Sequence, residues 1–180
     1  MLEHGGALFA AAARYGIEPA DWLDLSTGIN PAGWPAPPVP AAVWQRLPEA
    51  EDGLVQAAAA YYGCSEVLPV AGSQAAIQTL PRLRAASRVG VPHPAYAEHA
   101  HAWRAAGHAV LAWDAAMGVE ALDVLVLVHP NNPGGQTYAA AELLDWHAGL
   151  AARGGWLVVD EAFIDVAPEA SLAAPCPRPG

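Results

Sequence analysis

The sequence predicts an α/β fold in which a mostly parallel sheet is flanked by helices, and three observations carry that expectation. From about residue 67 onward, short Val- and Leu-rich runs alternate with longer helical segments. One run, Val124 to Val128, is apolar at every position, the pattern of a strand covered on both faces. Several polar clusters directly follow strand-like runs, and open α/β sheets bind ligands at the carboxyl ends of their strands.

Taken in order, Ala7 to Tyr15 reads as a short helix stopped by Gly16, and Trp22 to Leu25 as an extended piece. The Pro-dense stretch Pro31 to Pro40 permits neither helix nor central strand and is read as a loop or arm. Val39 to Arg46 and Leu54 to Tyr62 read as helices, the second closed by Gly63 in a left-handed cap. The alternating region then runs as strand Val67–Ala71, helix Ser73–Arg84, strand Arg88–Val91, helix Ala95–Ala106 and strand His108–Trp113. Strand Asp123–Val128, helix Ala139–Arg153 and a second fully buried strand, Trp156–Asp160, complete it. Past Phe163 no strand or helix signal remains. The expected division is an arm with helices over 1–62, a partial large domain over 63–165 and an irregular tail over 166–180.

Composition narrows the function classes. Eight basic residues stand against 18 acidic ones, for a net charge of −10, so a nucleic-acid backbone would be repelled and no such partner is expected. Cys64 and Cys176 make no disulfide framework. No basic segment precedes an apolar core at the N-terminus, and no apolar run is long enough to span a bilayer. A cytoplasmic protein without a membrane partner is expected. His93, His99 and His101 do not form a metal site in this reading, because residues two apart on a helix point in different directions.

Four clusters carry chemistry. In AGSQAA, Ser73 and Gln74 open a helix after a Gly turn, where unpaired N–H groups and the helix dipole favour an anion; an ordinary Ser N-cap is the alternative. In PHPAYAEH, Tyr96 starts a helix after a strand, placed either to stack on a planar ligand or simply to pack. In HPNNPGG, Pro133 pushes Asn132 toward an extended backbone, aiming its amide outward; a tight turn would use the same residues. Asp160 ends a buried strand, where a carboxylate is costly unless paired, either with a protonated ring nitrogen or with a neighbouring loop.

The order of these clusters resembles the large domain of the fold type I pyridoxal-phosphate (PLP) enzymes, the aspartate-aminotransferase-like fold, to which histidinol-phosphate aminotransferases also belong. Further motifs narrow the resemblance: HGG at His4 to Gly6, YGIEPADWLDLSTGINPAGWP from Tyr15, AGSQAAIQTLPRL from Ala71, AYAEHAHAWRAAGHAV from Ala95, and DEAFID. Together they resemble the threonine-phosphate decarboxylases of cobalamin biosynthesis. The resemblance implies that Ser73 and Gln74 cradle the cofactor phosphate, Tyr96 stacks on the ring, Asn132 meets its phenolate oxygen, and Asp160 pairs with the ring nitrogen as the catalytic carboxylate. It also implies that His4, Gly6 and Asn30 approach the substrate, a small phosphorylated amino acid, and that the full-length enzyme is a homodimeric lyase. Two positions depart from the pattern: Leu47 stands where relatives often carry a Tyr, and Phe163 where aminotransferases use one.

All eight basic residues are Arg, and the 180 residues contain no Lys. The lysine that would hold PLP as an imine therefore cannot come from them. The expectation is an incomplete large domain without the C-terminal small domain, inactive alone. The alternatives are an aminotransferase of the same fold, or a noncatalytic module that binds PLP or a phosphate ligand. A Rossmann domain is excluded, because AGSQAA has one Gly where GxGxxG needs three.

Overall fold

In the computed structural model, residues 4–30, 32–49 and 51–175 are described. The chain divides into two compact units, Met1–Pro48 and Glu49–Gly180. In the first, helix α1 (Leu8–Tyr15) ends at Gly16, whose φ of 65° lets its N–H turn back to the Ala12 carbonyl. Short 3-10 turns follow at Pro19–Asp21 and Ala41–Gln45. The helix expected over Val39–Arg46 is thus reduced to one tight turn. Pro40 fixes its entry and Trp44, at 76% exposure, buries too little surface to hold a longer helix.

The second unit opens with α2 (Leu54–Tyr62), closed by left-handed Gly63. Helix α3 (Ser73–Thr79) then tightens into a 3-10 turn over Leu80–Leu83. The continuous helix expected to Arg84 fails there because Pro81 has no N–H to continue the α ladder. Strand β1 (Arg88–Pro92), helix α4 (Ala97–Ala105), strand β2 (Ala109–Trp113), strand β3 (Val124–Val128), helix α5 (Ala140–Ala151) and strand β4 (Trp156–Asp160) complete the order. The sheet is entirely parallel, with order β2-β1-β3-β4. The expected α/β architecture, a parallel sheet flanked by helices, is what forms.

Period-two alternation sorts the core into two layers. Val124 and Val126 join Val89, Val91 and Trp103, on the side of α4. Leu125 and Leu127 join Leu143 and Leu150, on the side of α5. Strand β3 is therefore buried at all five positions. Arg153 secures the end of α5, donating to the carbonyls of Gly149, Val119 and Leu122.

Two strand expectations are corrected. Val67–Ala71 forms no strand: Leu68 is 84% exposed, and Pro69 interrupts the run with a residue that cannot donate to a ladder. An apolar run supplies a face for a strand but not a partner. Strand β4 is half-buried throughout, because it is an edge strand with β3 on one side only. The tail past Phe163, expected to be irregular, carries 3-10 turns at Ile164–Val166 and Pro168–Ala170; Cys176 lies outside the described residues. Among the described residues no helix is long and apolar enough to cross a membrane.

Gly90 shows how closely the sheet is packed. A Cβ there would lie 3.2 Å from Trp113 Cβ and 2.5 Å from Leu122 Cδ1. Gly90→Ala is expected to lower stability by about 1–2 kcal/mol through overpacking, read as a shift in urea midpoint at unchanged slope.

Candidate functional site

Asp160 is the last residue of β4, and alternation puts it on the same face as Trp156 and Val158, toward α4. On α4, His99, Ala102 and Trp103 form the buried stripe at helical spacing. The two elements meet through His99 Nε2, which donates to Asp160 Oδ2 at 2.8 Å, with side-chain exposures of 5% and 14%. The other oxygen, Oδ1, accepts from the Ala162 N–H at 3.0 Å. Burial alone would favour the neutral acid, but the His99 hydrogen bond outweighs it and holds the Asp160 carboxyl below its ordinary value of 3.8. A carboxylate kept ionised in a sheltered position is suited to hold a proton on a facing heteroatom.

Tyr96 is the N-cap residue of α4, with its ring edge-on to His99 at a centroid distance of 6.2 Å. Two residues further, Glu98 Oε2 accepts from Gln74 Nε2 at 2.9 Å and so ties the first turn of α3 to that of α4. Ser73 is the first residue of α3 rather than its cap. Gly72 takes the cap position with φ 77° and ψ 163°, and no side chain caps the helix. The ordinary Ser N-cap is therefore not how this turn is built.

The turn after β3 is fixed from several sides. The His129 N–H donates to the Asp160 carbonyl at 2.8 Å, Asn131 N–H to Gln136 O at 2.9 Å, and Gly135 N–H to Asn131 O at 2.7 Å. Asn131 Nδ2 reaches Pro94 O at 3.0 Å and Gln136 Oε1 at 2.8 Å. Asn132, half-buried, sits at the head of this turn. The chain from Gln74 through Glu98, His99, Asp160 and His129 to Asn131 thus connects the surroundings of Ser73, Tyr96, Asn132 and Asp160 within one unit.

His4, Gly6 and Asn30 belong to the N-terminal unit. There the Gly6 N–H donates to Ser26 Oγ at 2.8 Å, Asn30 Oδ1 accepts from Ala32 N–H at 2.9 Å, and His4 lines a recess of about 500 Å³ beside Trp22 and Asp24. Leu47 is 88% exposed and Phe163 40%. Sequence reasoning missed His99 and Asn131 as partners in the site. For His99 the signal was present, since it shares the buried stripe of α4 with Ala102 and Trp103, where an imidazole needs a partner.

Removing His99 would leave the Asp160 carboxylate with the Ala162 N–H as its donor among the described residues. His99→Ala is expected to cost about 2 kcal/mol at neutral pH. Because the folded-state pKa of Asp160 is depressed, its contribution is full above the ordinary carboxylate range and is lost as pH falls through the lowered value. The gap between wild type and variant should therefore narrow as pH falls below about 4, as measured by urea titrations across pH.

The family model for class I and II aminotransferases matches residues 20–178. A threonine-phosphate decarboxylase of Pseudomonas aeruginosa is 60% identical over 183 residues, covering 100% of this chain and 55% of the relative. One from Sinorhizobium sp is 48% identical over 181 residues, covering 96% and 54%. The crystal structure of L-threonine-O-3-phosphate decarboxylase from Porphyromonas gingivalis superposes with a TM-score of 0.55 at 21% identity, over 67% of this chain and 41% of that one, a likeness of fold. The chain spans about half the length of the curated relatives it matches. With a parallel sheet of the expected kind and a match over most of its residues, the chain belongs to the class I and II aminotransferase family.

Proposed function

We propose that these residues form the cofactor-facing wall of a PLP-dependent lyase that decarboxylates L-threonine O-3-phosphate to (R)-1-amino-2-propanol O-2-phosphate, a step of cobalamin biosynthesis. The single observation that carries the chemistry is Asp160, sheltered at a strand end and held ionised by His99. The relatives at 60% and 48% identity, both threonine-phosphate decarboxylases, support the choice of reaction.

The residues present fit the cofactor. Asp160 offers an anion to a protonated pyridine nitrogen, Asn132 an amide to the phenolate oxygen, Tyr96 an aromatic face, and Ser73 with Gln74 a hydroxyl and an amide beside a helix start. When bound, PLP supplies the electron sink for the bond pair left as carbon dioxide departs. Asp160 keeps the proton on the ring nitrogen, and His99 keeps Asp160 charged and oriented. Tyr96 and the Asn131–Asn132 turn would hold and orient the bound ring. His4, Gly6 and Asn30 are proposed to approach the substrate.

The 180 residues hold no lysine, so covalent anchoring of PLP is assigned to further polypeptide, and the residues alone are proposed to be inactive. We place the enzyme in the cytoplasm as a homodimer. Exposed Leu23, Leu25, Trp34 and Trp44 in the N-terminal unit favour burial against another chain.

With PLP and L-threonine O-3-phosphate, a lysine-bearing polypeptide that includes these residues should release carbon dioxide, and Asp160→Ala should reduce the rate by at least about 100-fold. The 180 residues alone should release none. Keto-acid formation with 2-oxoglutarate as amino acceptor would instead assign an aminotransferase.

A further inference from the structure

The side chain of His129 has no place in the chemistry above, although it is the most enclosed polar group of the site. It has 0% exposure and sits between β3 and the turn that carries Asn132. Its Nδ1 accepts the Tyr138 N–H at 3.4 Å, and its ring stacks on Tyr138 at 6.3 Å and 22°. A nitrogen that accepts carries no proton, so the neutral ring holds its hydrogen on Nε2. That Nε2 is buried with no hydrogen-bond partner among the described residues.

Two residues on, Asn131 presents the complementary group. Its Nδ2 faces two acceptors, Pro94 O and Gln136 Oε1, which fixes the amide orientation. Its Oδ1 is likewise buried without a hydrogen-bond partner among the described residues. One turn thus encloses an unmatched donor and an unmatched acceptor, each with its identity fixed by the bonds its own side chain already makes. Buried polar groups left by the protein in this way are the usual ligands of an internal water.

We propose that His129 is a positioning residue for the Asn131–Asn132 turn. It acts through Nδ1 on the Tyr138 amide and through Nε2–H on one internal water shared with Asn131 Oδ1. His129 thereby joins the entry of the turn to its exit, while its backbone N–H holds the entry against Asp160. The inference goes beyond the cofactor reading and does not depend on it.

Two variants of position 129 in the protein test it against the wild type, with hydrogen exchange at the Tyr138 amide as readout. His129→Leu should lose about tenfold or more of the protection, whereas His129→Asn, whose carboxamide oxygen can replace Nδ1, should retain it within about threefold. Equal protection in wild type and His129→Leu would overturn the proposal. Should the Leu variant not fold, the wild-type protein suffices. Nitrogen NMR should show the Nε2–H tautomer, and a crystal structure should show one ordered water within hydrogen-bonding distance of both atoms. An Nδ1–H tautomer, or protein partners for both atoms, would overturn it. Exchange is read without PLP, so failure of the protein to bind the cofactor would count against the functional reading alone.

Discussion

The arrangement depends on one half-buried carboxylate staying charged. Asp160 closes β4 in partial shelter, where desolvation pushes toward the neutral acid, and the bond from His99 reverses that preference. Since the bond is 2.8 Å long and joins a helix to a strand end, the charge is only as secure as the packing of α4 on the sheet. Trp103, 1% exposed and one turn from His99, supplies that packing together with Val89, Val91, Val124 and Val126. An apolar contact layer thus sets an electrostatic property, because a shift of α4 would lengthen the hydrogen bond before it exposed the carboxylate.

Strand β3 is what lets both sides of the sheet contribute. Its Val positions pack toward α4 and its Leu positions toward α5, so the strand is clamped and its exit is held. The exit continues directly into the His129 to Tyr138 turn. Parallel register places Val128 beside Asp160, and the His129 N–H extends that pairing by one bond to the Asp160 carbonyl. Asn131 then reaches across to Pro94, in the loop ahead of Tyr96. Three loops that leave three parallel strands or their successors are therefore cross-linked at the carboxyl edge.

Legibility in the sequence followed how local each determinant is. Gly16 and Gly63 as helix stops, and the alternation of strands and helices after Arg88, are properties of short windows, and the structure has them where expected. Val67–Ala71 went wrong because a strand needs a neighbour that no window shows. The helix through Pro81 went wrong because apolar spacing outweighed the missing N–H. Within the site, Asp160, Asn132 and Tyr96 stood out by their place after strands. His99 and Asn131 did not, because their roles rest on partners 61 and 37 residues away.

The distribution of positive charge bears on what this wall can do. Arg84 lies over the Trp156 ring at 5.0 Å, Arg88 sits beside Asp123, and Arg153 holds three carbonyls at the end of α5. These three guanidinium groups serve the fold, and the sequence offers no lysine in addition. In the proposed site, recognition would rest on an anion, amides, a hydroxyl and an aromatic ring, groups suited to hold a ring system by shape and hydrogen bonding rather than by covalent capture. Because the ionisation of Asp160 is set by His99, a residue of the same unit, the electronic part of the proposed site needs no lysine to be in place. Under the proposed function, anchoring and ring electronics are thus separable, and the 180 residues would carry the second.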